Sequence, residues 1–155
     1  MRRREKEIPD KTEVEGIIRK SSVCRLALSH NDFPYIVPLC FGYEENALYF
    51  HTARAGEKLD ILAKNRNVCF EFDVDHEIVK AENACKWGMK YRSVIGFGTA
   101  SFIEDPESKR HALDTIMGQY SEGSFAFPEE ALEKIVVIKV DIARMTGKES
   151  GYGRC

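Results

Sequence analysis

The chain has 155 residues, of which 43% are hydrophobic and 31% charged, a composition that excludes disorder as the main state. Its net charge of −2 excludes a global field for nucleic acid or an anionic membrane, and no apolar run approaches the roughly 20 residues of a membrane helix. We therefore predict a single domain over 1–155, with a flexible basic arm at 1–10 and a flexible tail at 149–155.

The first predicted element follows the basic run MRRREKEIPDK, which lacks the apolar stretch of a secretory signal. Thr12 and Glu15 match a capping box for a helix over 13–20. That helix would bury an apolar stripe of Val14, Ile17 and Ile18.

Three strand-like runs come next, over 23–29, 35–43 and 47–53. Turn-rich residues separate them, and the links are too short to hold crossover helices. The three runs therefore predict hairpins in an antiparallel sheet.

The middle of the chain mixes a helix with further strands. A short helix is predicted over 57–64, and apolar alternation predicts a strand over 68–74. Residues 75–90 are expected to be irregular. A long strand is predicted over 91–103, and its two glycines, Gly96 and Gly98, indicate a bend or the close approach of another group.

The last part of the chain predicts two helices and a strand. Asp105 as N-cap and Pro106 at the first position begin one helix, and Pro128 begins a shorter one. A final strand is predicted over 135–143, and the glycine-containing tail at 146–155 is expected to fray or to dock on a partner. Six strands with hairpin links and inserted helices predict a mainly β fold, a six-stranded antiparallel barrel.

The cysteines point to a reducing compartment. Their number is odd, their spacing is wide and no C-x-x-C occurs, so we expect neither a disulfide framework nor a metal site. Three of them lie in apolar runs and are predicted to be buried: Cys24, Cys40 and Cys69. We accordingly expect a cytoplasmic protein.

The segment 49–58, YFHTARAGEK, ends a strand in polar side chains and begins a helix after Gly56. Free N–H groups at a helix start favour an anion, Lys58 adds a positive charge, and the Thr52 hydroxyl can donate a hydrogen bond. The spacing is not that of a P-loop. Two interpretations stay open, a phosphate cradle and an ordinary surface helix with a solvated lysine.

A second segment, KWGMKYRS, combines aromatic, cationic and glycine residues just before a strand. Trp87 and Tyr91 can stack on a flat ligand, while Arg92 and Ser93 can bind phosphate or carbonyl oxygens. Trp87 can equally pack on the core or on a neighbouring subunit.

The chain contains none of the hydrolase motifs G-x-S-x-G and H-E-x-x-H, and no Gly-rich dinucleotide fingerprint. His30 and His111 are expected at the surface, and His76 lies in an acidic loop that solvation explains. His51 differs because it ends a strand beside the proposed cradle.

Four motifs in order resemble the pyridoxamine 5′-phosphate oxidase-like flavin-binding split-barrel superfamily, in particular the branch of nitroimidazole-resistance proteins. They are YIVPL at 35–39, LYFHTA at 48–53, G-x-K at 56–58 and YRSVIGFG at 91–98. The resemblance covers about 10–148, nearly the whole chain.

This resemblance implies a homodimer with FMN, or FAD, in two grooves between the subunits. It implies that the strand of Val37, Pro38, Leu39 and Cys40 runs along the isoalloxazine. It implies further that His51 and Thr52 contact the flavin, that Lys58 binds its phosphate, and that Ser93 with Arg92 faces it. Trp87 would complete the groove of the partner.

The chain departs from the oxidases that act on pyridoxamine phosphate. Those enzymes carry a positive residue at Cys40 and a paired Arg-Lys where this chain has Glu57 and Lys58, and their basic C-terminal motif is missing. The expected activity is therefore flavin-dependent reduction of a small acceptor such as a nitroaromatic compound, with His51 donating a proton. A non-catalytic flavin carrier or redox sensor, and a haem-binding protein with His51 or His76 as ligand, are the alternatives.

Overall fold

A computed structural model describes residues 3–152. These residues form eight strands: β1 (Glu7–Ile8), β2 (Cys24–His30), β3 (Phe33–Leu39), β4 (Gly42–Glu44), β5 (Ala47–Ala53), β6 (Asn67–Val79), β7 (Gly88–Ile103) and β8 (Ile135–Ser150). Four α-helices are inserted: α1 (Lys11–Lys20), α2 (Glu57–Lys64), α3 (Pro106–Tyr120) and α4 (Glu129–Glu133). Among these described helices, none is long and apolar enough to cross a membrane.

All strand pairs are antiparallel, and the sheet order is β3-β2-β6-β7-β8-β5-β4, with β1 beside β8. The two end strands, β3 and β4, are consecutive in the chain and are joined only by Cys40 and Phe41. In a flat sheet β3 and β4 would stand about 29 Å apart, whereas this link reaches about 11 Å. The sheet must therefore curl until its ends meet, which confirms the mainly β, antiparallel barrel.

The strand count exceeds the predicted six for two reasons. The run predicted over 35–43 is divided at Cys40 and Phe41 into β3 and β4. The arm predicted to be flexible contains β1, in which Ile8 is 4% exposed and pairs with Gly147. Burial of this single apolar side chain ties the segment to the sheet, and two residues are too few for a periodic signal.

Two other segments are more regular than predicted. The region expected to be irregular, 75–90, holds the ends of β6 and β7, which pair as far as Val79 and Gly88. A register shift after Val74 disrupts the period-two pattern there. In the predicted tail, β8 continues to Ser150 because β1 and β7 pair with it, whereas Cys155 lies outside the described residues.

The barrel interior is filled by the inward side chains of alternating strand positions, among them Leu26, Leu48, Phe50, Phe70, Phe72, Val94 and Ile138. Phe70 stands opposite Gly96, and a Cβ at Gly96 would collide with the Phe70 ring. The group that approaches this glycine is therefore a side chain of the core itself.

A second apolar cluster lies outside the barrel, where α3 packs on β4 and β5, and α4 packs on α3 and β8. It contains Ala47, Tyr49, Ala112, Leu113, Ile116, Leu132 and Val137. A Cβ at Gly42 would lie 2.6 Å from the backbone nitrogen of Ile116, so α3 sits directly on β4. Asp105 caps α3 as predicted by accepting the N–H of Ser108 at 2.8 Å.

Helix α1 begins earlier than predicted and with a different cap. Asp10, rather than Thr12, is the N-cap, and its carboxylate accepts the Thr12 N–H at 2.7 Å. The predicted stripe of Val14, Ile17 and Ile18 is buried. Helix α2 has the predicted bounds, and α4 follows Pro128 as expected.

Asp75, in β6, forms one ion pair with α1 and a second with β7. Its carboxylate contacts the Lys20 ammonium and lies 2.9 Å from the Arg92 guanidinium, and these bonds, Lys20 first, lower the pKa of Asp75. A carboxyl whose pKa falls on folding stabilises the fold above its unfolded pKa, and this contribution is lost as pH falls through the folded value.

We therefore predict that Asp75→Asn makes Tm less sensitive to acid below about pH 4 than it is in the parent protein. Thermal melts from neutral to strongly acidic pH measure this slope. Asp114→Asn is the control, because Asp114 is exposed and forms no ion pair within residues 3–152. Equal acid slopes for the parent and the Asp75 variant would contradict the prediction.

Candidate cofactor-binding site

The barrel is split between β3 and β5. β4 and β5 pair from Glu44 with Ala47 to Gly42 with Tyr49, and the same register continued would set Cys40 opposite His51. Within residues 3–152 this ladder stops at Gly42, and beyond that point β3 pairs only with β2 and β5 only with β8. Each strand thus has an open edge beyond this point, where its backbone groups are available to a ligand.

The edge strand β3 carries three of the predicted cofactor residues, and the fourth, Cys40, follows it directly. Val37 and Leu39 are half-buried against the core, whereas Pro38 and Cys40 are exposed. A proline suits an open edge, because its missing N–H removes no hydrogen bond when it faces away from the neighbouring strand. The prediction that Cys40 is buried is wrong, because β3 has no second neighbour within the described sheet. Cys69 is half-buried rather than buried, whereas Cys24 is buried as predicted.

The end of β5 carries His51 and Thr52 on opposite faces, as successive strand residues must be. Thr52 is 8% exposed and faces the barrel interior, whereas His51 is exposed. Within the described chain, no hydrogen bond or ion pair engages the His51 imidazole. Both of its nitrogens are therefore available to a ligand or substrate.

Three residues separate β5 from helix α2, whose start presents unpaired backbone donors. Gly56 has φ +140°, a left-handed conformation that favours glycine, and its carbonyl accepts the N–H groups of Leu59 and Asp60. The N–H groups of Glu57 and Lys58 precede these bonds and lack intrahelical partners. Lys58 is half-buried and forms no ion pair with any residue of 3–152, so the site can accept a phosphate.

Trp87 lies at the tip of the β6–β7 hairpin, away from the core, with 51% of its surface exposed. Its indole N–H donates to the Ala81 carbonyl at 2.7 Å, and Lys80 lies 6.0 Å from the ring centroid. The interpretation that Trp87 packs on the core is therefore wrong, whereas stacking on a ligand or a second subunit remains open.

Arg92 is engaged within its own subunit. Its guanidinium lies 2.6 Å from Glu149 and 2.9 Å from Asp75, and these carboxylates, Glu149 first, raise the pKa of Arg92. The ring of Tyr152 covers it at 4.3 Å. Its neighbour Ser93 points to the outer face of the sheet and pairs with Asp73 and Lys148.

The two predicted segments lie at opposite ends of β7. His51 pairs with Val137, which pairs with Ile103 at the end of β7, whereas Arg92 is near its beginning. The strand between Arg92 and Ile103 is about 36 Å long at the usual rise per residue. The residues predicted to bind one cofactor therefore form two separate groups in one copy of the chain.

A cleft of about 580 Å³ opens beside the first group, between α2 and the ends of β7 and β8. It touches none of the predicted residues but is lined by their neighbours, Leu59 next to Lys58 and Val136 opposite Thr52. Its size suits a small-molecule ligand, but its lining mixes apolar groups with charges of both signs.

Tyr120 is a residue near the split that no sequence motif identified. Its hydroxyl accepts the backbone N–H of Phe41 at 2.9 Å and donates to the Ser22 carbonyl at 3.0 Å. Local patterns could not identify it, because its partner Phe41 is 79 residues away in the chain.

Strand order, split and helix α2 together define a split β-barrel with a phosphate-compatible site at its open side. The chain matches the family model described as pyridoxamine 5′-phosphate oxidase over residues 10–149, and it belongs to that family. This confirms the resemblance inferred from the four motifs.

Solved structures support the same assignment. A candidate 5-nitroimidazole antibiotic resistance protein from Bacteroides thetaiotaomicron is 38% identical with a TM-score of 0.84, covering 92% of this chain and 86% of that one. An FAD and heme binding protein from Mycobacterium smegmatis has a TM-score of 0.85 over 94% of this chain and 74% of that one. At 21% identity the second shows the fold alone.

A curated relative, an uncharacterised protein of Rhizobium meliloti, is 30% identical over 64 residues. That match spans 41% of this chain and 42% of the relative, less than half of either.

Proposed function

We propose that this protein is an FMN-binding oxidoreductase that reduces small acceptors such as nitroaromatic compounds, in the cytoplasm. The observation that carries the proposal is the split itself, which leaves open edges on β3 and β5. Cys40 follows the first edge, His51 and Thr52 lie at the end of the second, and Lys58 lies in the first turn of α2. In this proposal Val37, Pro38, Leu39 and Cys40 line one wall of the flavin groove.

In this proposal, different residues at the split bind different parts of the cofactor. Lys58 and the first N–H groups of α2 bind the phosphate, and the Thr52 hydroxyl assists from the end of β5. Open backbone groups of β3 bind the polar edge of the ring system. The flavin, when bound, supplies the electron-transfer chemistry, and FAD is the alternative form of it.

His51 is the proposed proton donor. Its imidazole is exposed at the split and has no hydrogen bond or ion pair within residues 3–152, so it can deliver a proton to an acceptor bound there. The similarity to the Bacteroides protein supports a nitro compound as that acceptor. Oxidation of pyridoxamine phosphate is not proposed, because Cys40 and Glu57 stand where those oxidases carry positive residues.

We propose further that two copies complete each site. Because Arg92, Ser93 and Trp87 lie far from Lys58 in one copy, they can reach the same flavin only from a second one. The outer face of the sheet offers a surface for that copy, since Ile36, Ile95 and Phe97 are 63, 45 and 40% exposed there. In this arrangement Ser93 faces the cofactor and Trp87 covers it.

The absorbance spectrum of the purified protein, with mass identification of the released cofactor, tests the proposal. Paired near-UV and blue bands are the expected result, and a single intense Soret band would favour haem instead. The reduced protein is then offered a 5-nitroimidazole without oxygen. Reoxidation supports the enzyme, whereas a bound flavin that no nitro compound reoxidises indicates a carrier or redox sensor. A protein that takes up no FMN in excess contradicts the whole proposal.

Replacing the proposed donor, His51→Ala, is predicted to lower nitroimidazole turnover about 100-fold, within the usual contribution of a positioned acid. Flavin content should stay near that of the parent protein. His30→Ala is the control, because His30 lies at the far end of β2. Unchanged turnover in the His51 variant would remove the proton-donor role and leave the flavin site standing.

Trp87→Ala is predicted to weaken both flavin retention and self-association, since one indole would serve both. Light scattering gives the mass of the assembly, and flavin fluorescence gives retention. Met89→Ala, on the same hairpin, removes a comparably exposed apolar group (49%) outside the proposed contact with the flavin. A monomer that retains FMN tightly would contradict the shared site.

A further inference from the structure

The link between β3 and β4 contains a buried backbone N–H, that of Phe41. At Cys40 and Phe41 the chain leaves the ladder with β5, and Phe41 is fully buried. A buried backbone N–H without a partner is costly, and in the register of β4 with β5 the Phe41 N–H points away from β5, so its partner must come from another element. That partner is the Tyr120 hydroxyl, which accepts the Phe41 N–H at 2.9 Å.

The same hydroxyl is fixed from its other side. It donates to the carbonyl of Ser22, between α1 and β2, at 3.0 Å, and the rings of Tyr120 and Phe41 meet edge to face at 6.3 Å. Burial raises the pKa of Tyr120 to about 12, so the donor proton is retained at neutral pH. One hydroxyl thus connects three segments of the chain.

Helix α3 delivers this hydroxyl to a defined position. Its backbone sits on Gly42, the first residue after the link, and its last turn ends at Tyr120. Gln119 adds hydrogen bonds to the carbonyls of Arg19 and Ser21 at 2.9 and 2.8 Å. The end of α3 is therefore held against both the α1–β2 loop and the β3–β4 link.

We propose that Tyr120 is a positioning residue of the cofactor site, whose hydroxyl holds the β3–β4 link from the side away from β5 and so keeps the split open. Cys40 and Leu39, the wall of the groove, precede this anchored N–H directly. Without the anchor, the link is free to move toward β5 and to narrow the groove. This inference rests on the proposed function, because the groove is the proposed flavin site.

The test is Tyr120→Phe, which keeps the ring and removes the hydroxyl. FMN binding is expected to weaken about tenfold, the equivalent of one neutral hydrogen bond, with a shift of the bound-flavin absorbance bands. In the FMN-free protein, hydrogen exchange at the Phe41 amide should accelerate by a similar factor.

Tyr43→Phe is the matched control, since it removes a hydroxyl that donates to Glu15 at 3.0 Å on the neighbouring strand β4. It should lose comparable stability, while FMN affinity, flavin bands and Phe41 exchange remain those of the parent. This separates a local effect at the split from a general loss of stability.

The outcomes distinguish a failure of the proposed Tyr120 role from a failure of the proposed function. If the parent binds FMN and both tyrosine variants bind it equally well with identical bands, the role of Tyr120 is overturned and the flavin site stands. Faster Phe41 exchange with unchanged FMN binding overturns it too. If the parent takes up no FMN, the proposed function fails first.

Discussion

Lys58→Ala is expected to weaken FMN binding about 10- to 100-fold, the usual contribution of a hydrogen bond to a charged group. Lys58 is the cation at the start of α2, half-buried and without an ion pair inside residues 3–152, so its charge is available to a phosphate. Quenching of flavin fluorescence during titration of the cofactor-free protein measures the dissociation constant.

Lys64→Ala is the control for this experiment, since it removes the same charge from the other end of the same helix. It should bind FMN like the parent, because a phosphate at the N-terminus of α2 lies beyond its reach. A comparison of FMN with riboflavin sharpens the test. The loss should be confined to FMN, and an equal loss for riboflavin would show that Lys58 does not act on the phosphate.

Gly42→Ala is expected to destabilise the fold by about 1–3 kcal/mol, the range of overpacked core positions. The added Cβ would lie 2.6 Å from the Ile116 nitrogen and 2.6 Å from the Thr115 carbonyl carbon. Both atoms belong to the backbone of α3, so no flexible side chain can move aside. The helix must shift off β4, and Tyr120 shifts with it. Urea unfolding with tryptophan fluorescence, from Trp87, measures the free energy of unfolding.

The matched control is Gly118→Ala in α3, where nothing lies within 4 Å of an added Cβ. This change should stabilise the protein by about 0.5–1 kcal/mol, since alanine favours the helix more than glycine does. Opposite signs for the two glycines are the expected pattern. Equal or greater stability of the Gly42 variant would show that α3 does not rest on β4 as described.

Short-range signals were sufficient for much of the barrel. Alternating apolar residues and brief turns predicted antiparallel strands, and the cap at Asp105 with Pro106 predicted the start of α3. The same signals failed where structure depends on distant partners. Strand β1 exists because Ile8 reaches the core, and Cys40 is exposed because β3 has no second neighbour in the described sheet.

The same difference between local signals and distant contacts applies to the candidate site. The amino-acid pattern alone was enough to establish the family, the barrel class and the segments that carry His51 and Lys58, since hydropathy, turns and helix starts act over a few residues. Folding in three dimensions determined which edges stay open, that carboxylates 17 and 57 residues away engage Arg92, and that Tyr120 anchors a link 79 residues before it. Those contacts arise only when the sheet curls, because the curling of the sheet brings these distant positions together and local preferences do not.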